Sequence, residues 1–374
     1  MMGHEFASAA ARWLHLPDMT IRPEIVAVCN RTLDTPKIDW FRKNVPTLAQ
    51  VTSDYRELLN NPEVEAVYIA VPHHLHEEFY TAALDAGKHL MGEKPFGVDL
   101  AANTAVMAAM HRHPNCFVRC ASQFVFFPAV QRIGRMIEAG AFGRIIEVNV
   151  GFLHGSDLNP QKPINWKRMI EYNGEYGVMG DLGPHVCAVP FRAGWIPRNV
   201  RAVLSNIVRE RPDGKGGMVP CETWDNANML CEAEDPATGS VFPFHLRTER
   251  ISPGQKNNWY IEIYGTRASV RYSLNEANTL ELLEYTPGGE ATWQTIHLGH
   301  EVTYKSITGE IFQFGVCDAI LQMWAAFLYE LDRGQTPGRF AGCATPEESV
   351  LWHKLFTAAL RSQATDATVA LDLV

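Results

Sequence analysis

The sequence predicts an α/β protein in two parts: a parallel sheet covered by helices over residues 1–124, and an α+β part on a large, mostly antiparallel open sheet over residues 125–374. Three observations predict it. Up to about residue 155, helical periods alternate with short apolar runs bounded by turn residues, as buried parallel strands and crossover helices require. Beyond that point, β-rich runs such as NVRAVLSNIVRE and NNWYIEIYGTRASVRYSL are separated by turn-rich breaks at RPDGKGGMVP and YTPGGEA. Two helical segments close the chain. The first is EIFQFGVCDAILQMWAAFLYEL, and the second opens at Thr345-Pro346-Glu347-Glu348, where an N-cap, a proline at the first helical position and a capping box coincide.

The elements of the first part follow in order. Phe6, Ala9, Ala10, Trp13 and Leu14 share one face of a helix that Pro17 stops. EIVAVC reads as a buried strand, and DYRELLNN opens with a capping box from Asp54 to Glu57 before the strand AVYIAV. EEFYTAALDAG is helical as far as Gly87 and feeds the strand KHLMG. Asp99 caps the alanine-rich helix that follows, and CFVRCASQF is a further strand. The series is of Rossmann type with its first strand missing. A dinucleotide-binding domain opens with a buried strand and G-x-G-x-x-G, whereas only Gly3 precedes the first helix here. The expectation is a start about ten or more residues late relative to a complete phosphate loop.

Composition narrows the partners. The 374 residues are 46% apolar and 20% charged, sufficient for two globular domains. A formal charge of −9, with no run of lysines and arginines, argues against a nucleic-acid or anionic-membrane partner and leaves a small ligand. Eight scattered cysteines without a C-x-x-C pair read as reduced residues of a cytoplasmic protein. Neither a long apolar span nor a basic-then-apolar leader is visible, so neither membrane insertion nor export is expected.

Three stretches carry candidate chemistry. MGEKPFG places Glu93 and Lys94 at the carboxyl end of a predicted parallel strand, the edge where open α/β sheets bind ligands. Pro95 pushes Lys94 away from helical angles and can itself follow a cis bond; a solvated surface turn is the plainer alternative. GVMGDLGPH spaces Gly177, Asp181 and His185 by four, so on a helix the carboxylate and the imidazole share a face. Such a pair can orient a substrate hydroxyl and move its proton near neutral pH, or can be no more than a capping Asp and a core His. VPHHLH carries His73, His74 and His76, which cannot converge on one ion from a tight turn. No metal is expected, and Pro72 and the histidines are placed at the nicotinamide ribose edge or at the start of the next helix.

Together, V-P-x-x-x-H, G-K-H-x-x-x-E-K-P and G-x-x-x-D-x-x-x-H, with YGTRASV in the second part, resemble in order and spacing the Gfo/Idh/MocA family of nicotinamide-dependent sugar and polyol oxidoreductases. Met2-Gly3 resembles the end of that family's G-x-G-x-M-G loop. The resemblance implies NAD or NADP bound by Met2, Gly3, Asn30, Arg31, Pro72, His73, His76, Glu93, Lys94 and Gln123. It also implies catalysis by Lys94, Asp181 and His185 on a sugar, glycoside or inositol-type polyol. The chemistry agrees, because oxidising a secondary alcohol needs a base for the hydroxyl proton and a cation for the charge that develops on oxygen. His185 suits the first role and Lys94 the second, although the two can be exchanged.

Departures from the family pattern surround the pocket: His73 for an Asn, Val125-Phe126-Phe127-Pro128 for R-F-x-P, and Ala188 for an Asp. Asn30-Arg31 stands where an NAD enzyme typically has Asp or Glu, which leaves both cofactors usable. The segment from Pro163 to Tyr176 is expected to overhang the pocket, with Trp166, Tyr172 and Tyr176 facing sugar C–H groups and Lys167 or Arg168 reaching hydroxyls or an anionic group. Trp166, Arg168 and Tyr176 therefore join Lys94, Asp181 and His185 as substrate residues. Self-association as a dimer or tetramer through the second sheet is expected. Two other classes remain: a non-catalytic dinucleotide- or sugar-binding regulator of the same family, and a metal-dependent isomerase or hydrolase.

Overall fold

Helix α1 (Met2–Ala11) opens the chain in the computed structural model, which describes residues 1–374. There follow β1 (Ala27–Cys29), α2 (Pro36–Asn44), β2 (Gln50–Thr52), α3 (Tyr55–Leu59), β3 (Ala66–Ile69), α4 (His76–Asp85), β4 (His89–Gly92), α5 (Leu100–Arg112) and β5 (Val118–Cys120). Asp99 caps α5 by accepting from the Ala102 amide at 2.8 Å, as expected. Asp54 caps α3 through the Arg56 amide at 2.9 Å, but no reciprocal capping box forms. The Glu57 carboxylate instead accepts the Thr52 hydroxyl at 2.5 Å.

The parallel sheet is in two pieces. β1 pairs with β2, and β3, β4 and β5 form a separate ladder in that order. In the doubly wound order 3-2-1-4-5-6 the first strand lies between these pieces, and no ladder joins β1 to β3 here.

The second part consists of α6 (Pro128–Glu138), β6 (Ile145–Leu153), α7 (Ile170–Asn173), α8 (Val178–Ala193), β7 (Pro197–Ser205), β8 (Glu210–Pro212), β9 (Met218–Pro220), β10 (Asn226–Glu234), β11 (Val241–Glu249), β12 (Asn258–Gly265), β13 (Ala268–Ser273), β14 (Thr279–Glu284), β15 (Gln294–His297), α9 (Val316–Arg333), α10 (Pro346–Thr365) and β16 (Val369–Ala370). Nine of the strands form one sheet in the order β15-β14-β13-β12-β6-β11-β10-β7-β16. Only the β6–β11 pairing is parallel. YGTRASV is the turn from β12 to β13. Helix α9 starts at Val316 rather than at Glu310, because Gly315 is its N-cap and donates its amide to Asp318 at 3.0 Å.

All of α8 is buried, and it lies between the large sheet and α10. The two helices approach closely at Gly183, where an added Cβ would meet Phe356 Cζ at 2.2 Å. Gly183→Ala is therefore expected to destabilise the protein by about 2 kcal/mol, the overpacking outweighing the roughly 1 kcal/mol that alanine gains in a helix. The check is the urea midpoint, which should fall. On the outer face of the sheet, exposed Val203 and Leu230 stand opposite Asn228 and Arg201, so apolar and polar side chains are interleaved. All eight cysteines are unpaired, and no helix is long and apolar enough to cross a membrane.

Candidate active site

β4 runs out at Gly92, where an added Cβ would come within 2.7 Å of Tyr80 and 2.9 Å of Phe96. That tight packing fixes the exit of the chain. Tyr80 donates its hydroxyl to the Glu93 carbonyl at 2.6 Å, and Tyr68 donates to the Glu93 carboxylate at 2.5 Å. The Lys94–Pro95 bond is cis. Trp352 Nε1 and His353 Nε2, both on α10, donate to the Pro95 carbonyl at 3.0 and 2.8 Å. Phe96 is fully buried with φ 68°, a left-handed conformation that costs a non-glycine residue about 1 kcal/mol and that the surrounding packing holds in place.

Lys94 is thereby aimed at α8. Its Nζ donates to both the carbonyl and Oδ1 of Asp181, each at 2.7 Å. Helix α8 starts at Val178, so Asp181 and His185 lie one turn apart on the same face. Two further cations reach the same carboxylate: Lys167 Nζ lies 2.9 Å and Arg250 Nη2 2.5 Å from Oδ2. Burial alone would raise the pKa of Asp181, but Lys167, Lys94 and Arg250 outweigh it and hold the carboxyl well below its ordinary range.

His185 packs against Phe124 and Phe152 with ring centroids 4.8 and 5.5 Å away. Burial, with the charge of Lys94 added, pushes its pKa down to about 3. The ring is therefore neutral at physiological pH. His73 sits edge-on to Trp166 at 5.0 Å and is held neutral chiefly by burial. His154, just past β6, is pushed down to about 4 by burial and by Arg250.

Of the other residues expected here, some join the site and others do not. Trp166 is half-buried beside His73, with Lys167 Nζ 5.7 Å from its ring. Arg168 does not join them. It is fully buried, and its guanidinium lies 2.5 Å from Asp225, so the short helical turn at Trp166–Arg168 sends Lys167 inward in its place. Tyr176 is spent in the core, its hydroxyl 2.6 Å from Thr357 and 3.2 Å from the His353 carbonyl. His76 is likewise fully buried, stacked on Tyr80 and bonded to the Val71 carbonyl at 3.1 Å. His73, His74 and His76 form no ligand set with other side chains. Arg250 and His154 were not anticipated, since neither the end of β11 nor the residue after β6 carries a motif.

Several residues have the form that a dinucleotide site needs. The amides at the start of α1, at Met2 and Gly3, have no side-chain cap and can receive a phosphate. Asn30 and Arg31 follow β1, with Arg31 exposed. Pro72 and His73 follow β3, and His73 keeps a buried Nδ1 without a partner. Gln123 precedes the turn at Phe124–Phe126, whose first ring packs on His185.

Residues 2–120 match the oxidoreductase family with NAD-binding Rossmann fold, GFO/IDH/MocA, and residues 130–271 match the GFO/IDH/MocA C-terminal domain. The chain belongs to this family. Levoglucosan dehydrogenase of Pseudarthrobacter phenanthrenivorans is 29% identical over 244 residues, 62% of this chain and 61% of that enzyme. Trans-1,2-dihydrobenzene-1,2-diol dehydrogenase of Mus musculus is 32% identical over 162 residues, 43% of this chain and 45% of its own. The chain thus matches less than two thirds of the length of either relative. A solved levoglucosan dehydrogenase, in complex with NADH and L-sorbose, superposes with TM-score 0.85 over 99% of this chain and 96% of its own at 23% identity, a likeness of fold. The chain accordingly has the two parts of that family, the NAD-binding Rossmann domain and a C-terminal domain built on the large sheet.

Proposed function

We propose that this family member is a nicotinamide-dependent dehydrogenase acting between a secondary hydroxyl and a ketone of a sugar, glycoside or inositol-type polyol. The observation that carries the reading is the Lys94–Asp181 pair with a neutral His185 one helical turn on, at the carboxyl edge of the parallel strands. Relatives named as dehydrogenases of levoglucosan and of a dihydrobenzenediol support an alcohol substrate.

When bound, the nicotinamide cofactor supplies the hydride acceptor. The chain's own residues do the rest. His185 takes the hydroxyl proton, and the Lys94 ammonium donates to the same oxygen as carbonyl character develops. Asp181 holds Lys94 in place through its carboxylate and carbonyl. Met2 and Gly3 would receive the pyrophosphate, Asn30 and Arg31 the adenosine ribose, and Pro72, His73, Glu93 and Gln123 the nicotinamide end. In this division of labour residues 1–124 serve the cofactor, and residues 125–374 serve the substrate and self-association through the outer face of the nine-stranded sheet. Eight unpaired cysteines support a cytoplasmic setting.

The test is purified protein with NAD or NADP and a panel of sugars, glycosides and inositols, followed by absorbance of the reduced nicotinamide. Absence of turnover with every pair would abandon the reading in favour of a binding relative. Exposed Arg31 is expected to make NADP usable beside NAD. Arg31→Glu should lower the ratio of kcat/KM for NADP over NAD by about 10-fold or more, because a carboxylate there repels the 2′-phosphate.

A further inference from the structure

One carboxylate in the site faces three cations. Asp181, its side chain 4% exposed, is met by Lys94 at 15%, Lys167 at 35% and Arg250 at 3%. His73, His154 and His185 around them are neutral and do not alter the balance. Two further carboxylates lie nearby, and Asp157 also draws on the charge of Arg250. Asp157 takes Lys162 at 2.8 Å, and Glu93 takes the Tyr68 hydroxyl. Three cations in contact with the one carboxylate of Asp181 leave positive charge in excess, in a setting where unpaired charge is costly. Arg250 Nε is buried without a partner, as is Nδ1 of His154 beside it. A neutral sugar would leave the surplus uncompensated, and an oxidised nicotinamide would add to it.

We propose that the substrate carries a carboxylate close to the reacting carbinol, received by Lys167 and Arg250. The inference rests on the dehydrogenase reading of the same site and names its substrate class: hydroxy acids of the sugar or cyclic polyol type, uronic acids among them. The excess of positive charge favours an anionic substrate. Lys94 serves the oxygen that becomes the carbonyl, which leaves Lys167 and Arg250 for the carboxylate. Lys167, the most exposed of the three cations, stands beside the flat face of Trp166, where the ring of such a substrate can lie. The reaction balances as for any secondary alcohol. The carbinol C–H leaves as hydride to the oxidised nicotinamide, the O–H proton goes to His185, and the C–O bond becomes a carbonyl.

The experiment compares matched triplets, such as glucose, glucuronate and glucose 6-phosphate, in two ways: by calorimetric titration without turnover, and by kcat/KM with each nicotinamide cofactor. The acid is expected to bind measurably where the neutral sugar does not, and to be used with kcat/KM about 100-fold higher, as for a buried charge that finds its partner. Lys167→Met should collapse that preference to within about 10-fold, chiefly through KM, whereas Lys167→Arg, which keeps the charge, should retain it. Equal use of glucose and glucuronate, or preference for the phosphate, overturns the proposal and leaves the dehydrogenase reading intact. Tight calorimetric binding of the acid with no oxidation of any substrate overturns the dehydrogenase reading and leaves the carboxylate site standing. Loss of the preference in Lys167→Arg as well as Lys167→Met would assign Lys167 a packing role and overturn its part in recognition.

Discussion

Lys94→Met is expected to lower kcat by about 1,000-fold or more while leaving the protein folded, because it removes the ammonium that the proposed mechanism sets against the reacting oxygen and keeps most of the aliphatic stem. The fold should tolerate the change. Asp181 retains Lys167 and Arg250, so no buried carboxylate is left unpaired. The turn that carries residue 94 is held by bonds that do not involve its side chain, from Tyr80 to the Glu93 carbonyl and from Trp352 and His353 to the Pro95 carbonyl. The measurements are single-turnover rate, cofactor affinity and urea midpoint on the same preparation. A loss confined to the chemical step, with cofactor affinity within about threefold of the parent, marks a group that acts on the transition state. A kcat within 10-fold of the parent would remove Lys94 from the catalytic role and with it the reading of the site.

The parts of this site legible in the sequence are those whose signal is local. A strand ending in Gly92 and running into Glu93-Lys94-Pro95 fixes where the lysine emerges, and a four-residue spacing puts Asp181 and His185 on one face of α8. What was not legible depends on partners far away in the chain. Arg250 meets Asp181 across 69 positions, at the end of a strand whose alternation marks burial but not destination. Lys167 and Arg168 are adjacent, and a short helical turn sends one to Asp181 and the other to Asp225. The Tyr176 hydroxyl and Nε2 of His76 are taken up in the core by Thr357 and Val71, contacts that residue type alone does not predict. The fold class follows from alternating periods, and the split of the parallel sheet follows from the absent first strand, which the doubly wound order places between the two pieces.

Asp181→Asn is expected to cost about 3–5 kcal/mol of stability at neutral pH, the effect of removing one partner from a buried charge cluster, and to abolish measurable turnover by releasing Lys94. The amide keeps the shape of the side chain but leaves Lys94, Lys167 and Arg250 facing one another without an anion. Its dependence on pH separates this charge effect from packing. The folded pKa of Asp181 lies well below its unfolded value, so its contribution is fully present above about pH 4 and is lost only as pH falls through the folded value. The stability gap between parent and variant should therefore stay nearly constant from pH 7 to about pH 4 and close below it. Both proteins should nevertheless weaken much earlier. His76 and His185 are held at about 3, and His353 at about 4, so each stays neutral in the folded state while the unfolded chain takes up a proton near pH 6.5. Their contribution is present above the unfolded value and is lost as pH falls below it, each histidine costing about 1.4 kcal/mol per pH unit until its folded value is reached. Urea midpoints taken across that range should give parallel falling curves below about pH 6 for parent and variant, offset by the Asp181 contribution. An offset that shrinks between pH 7 and pH 5 would mean that the carboxylate is not held by the three cations.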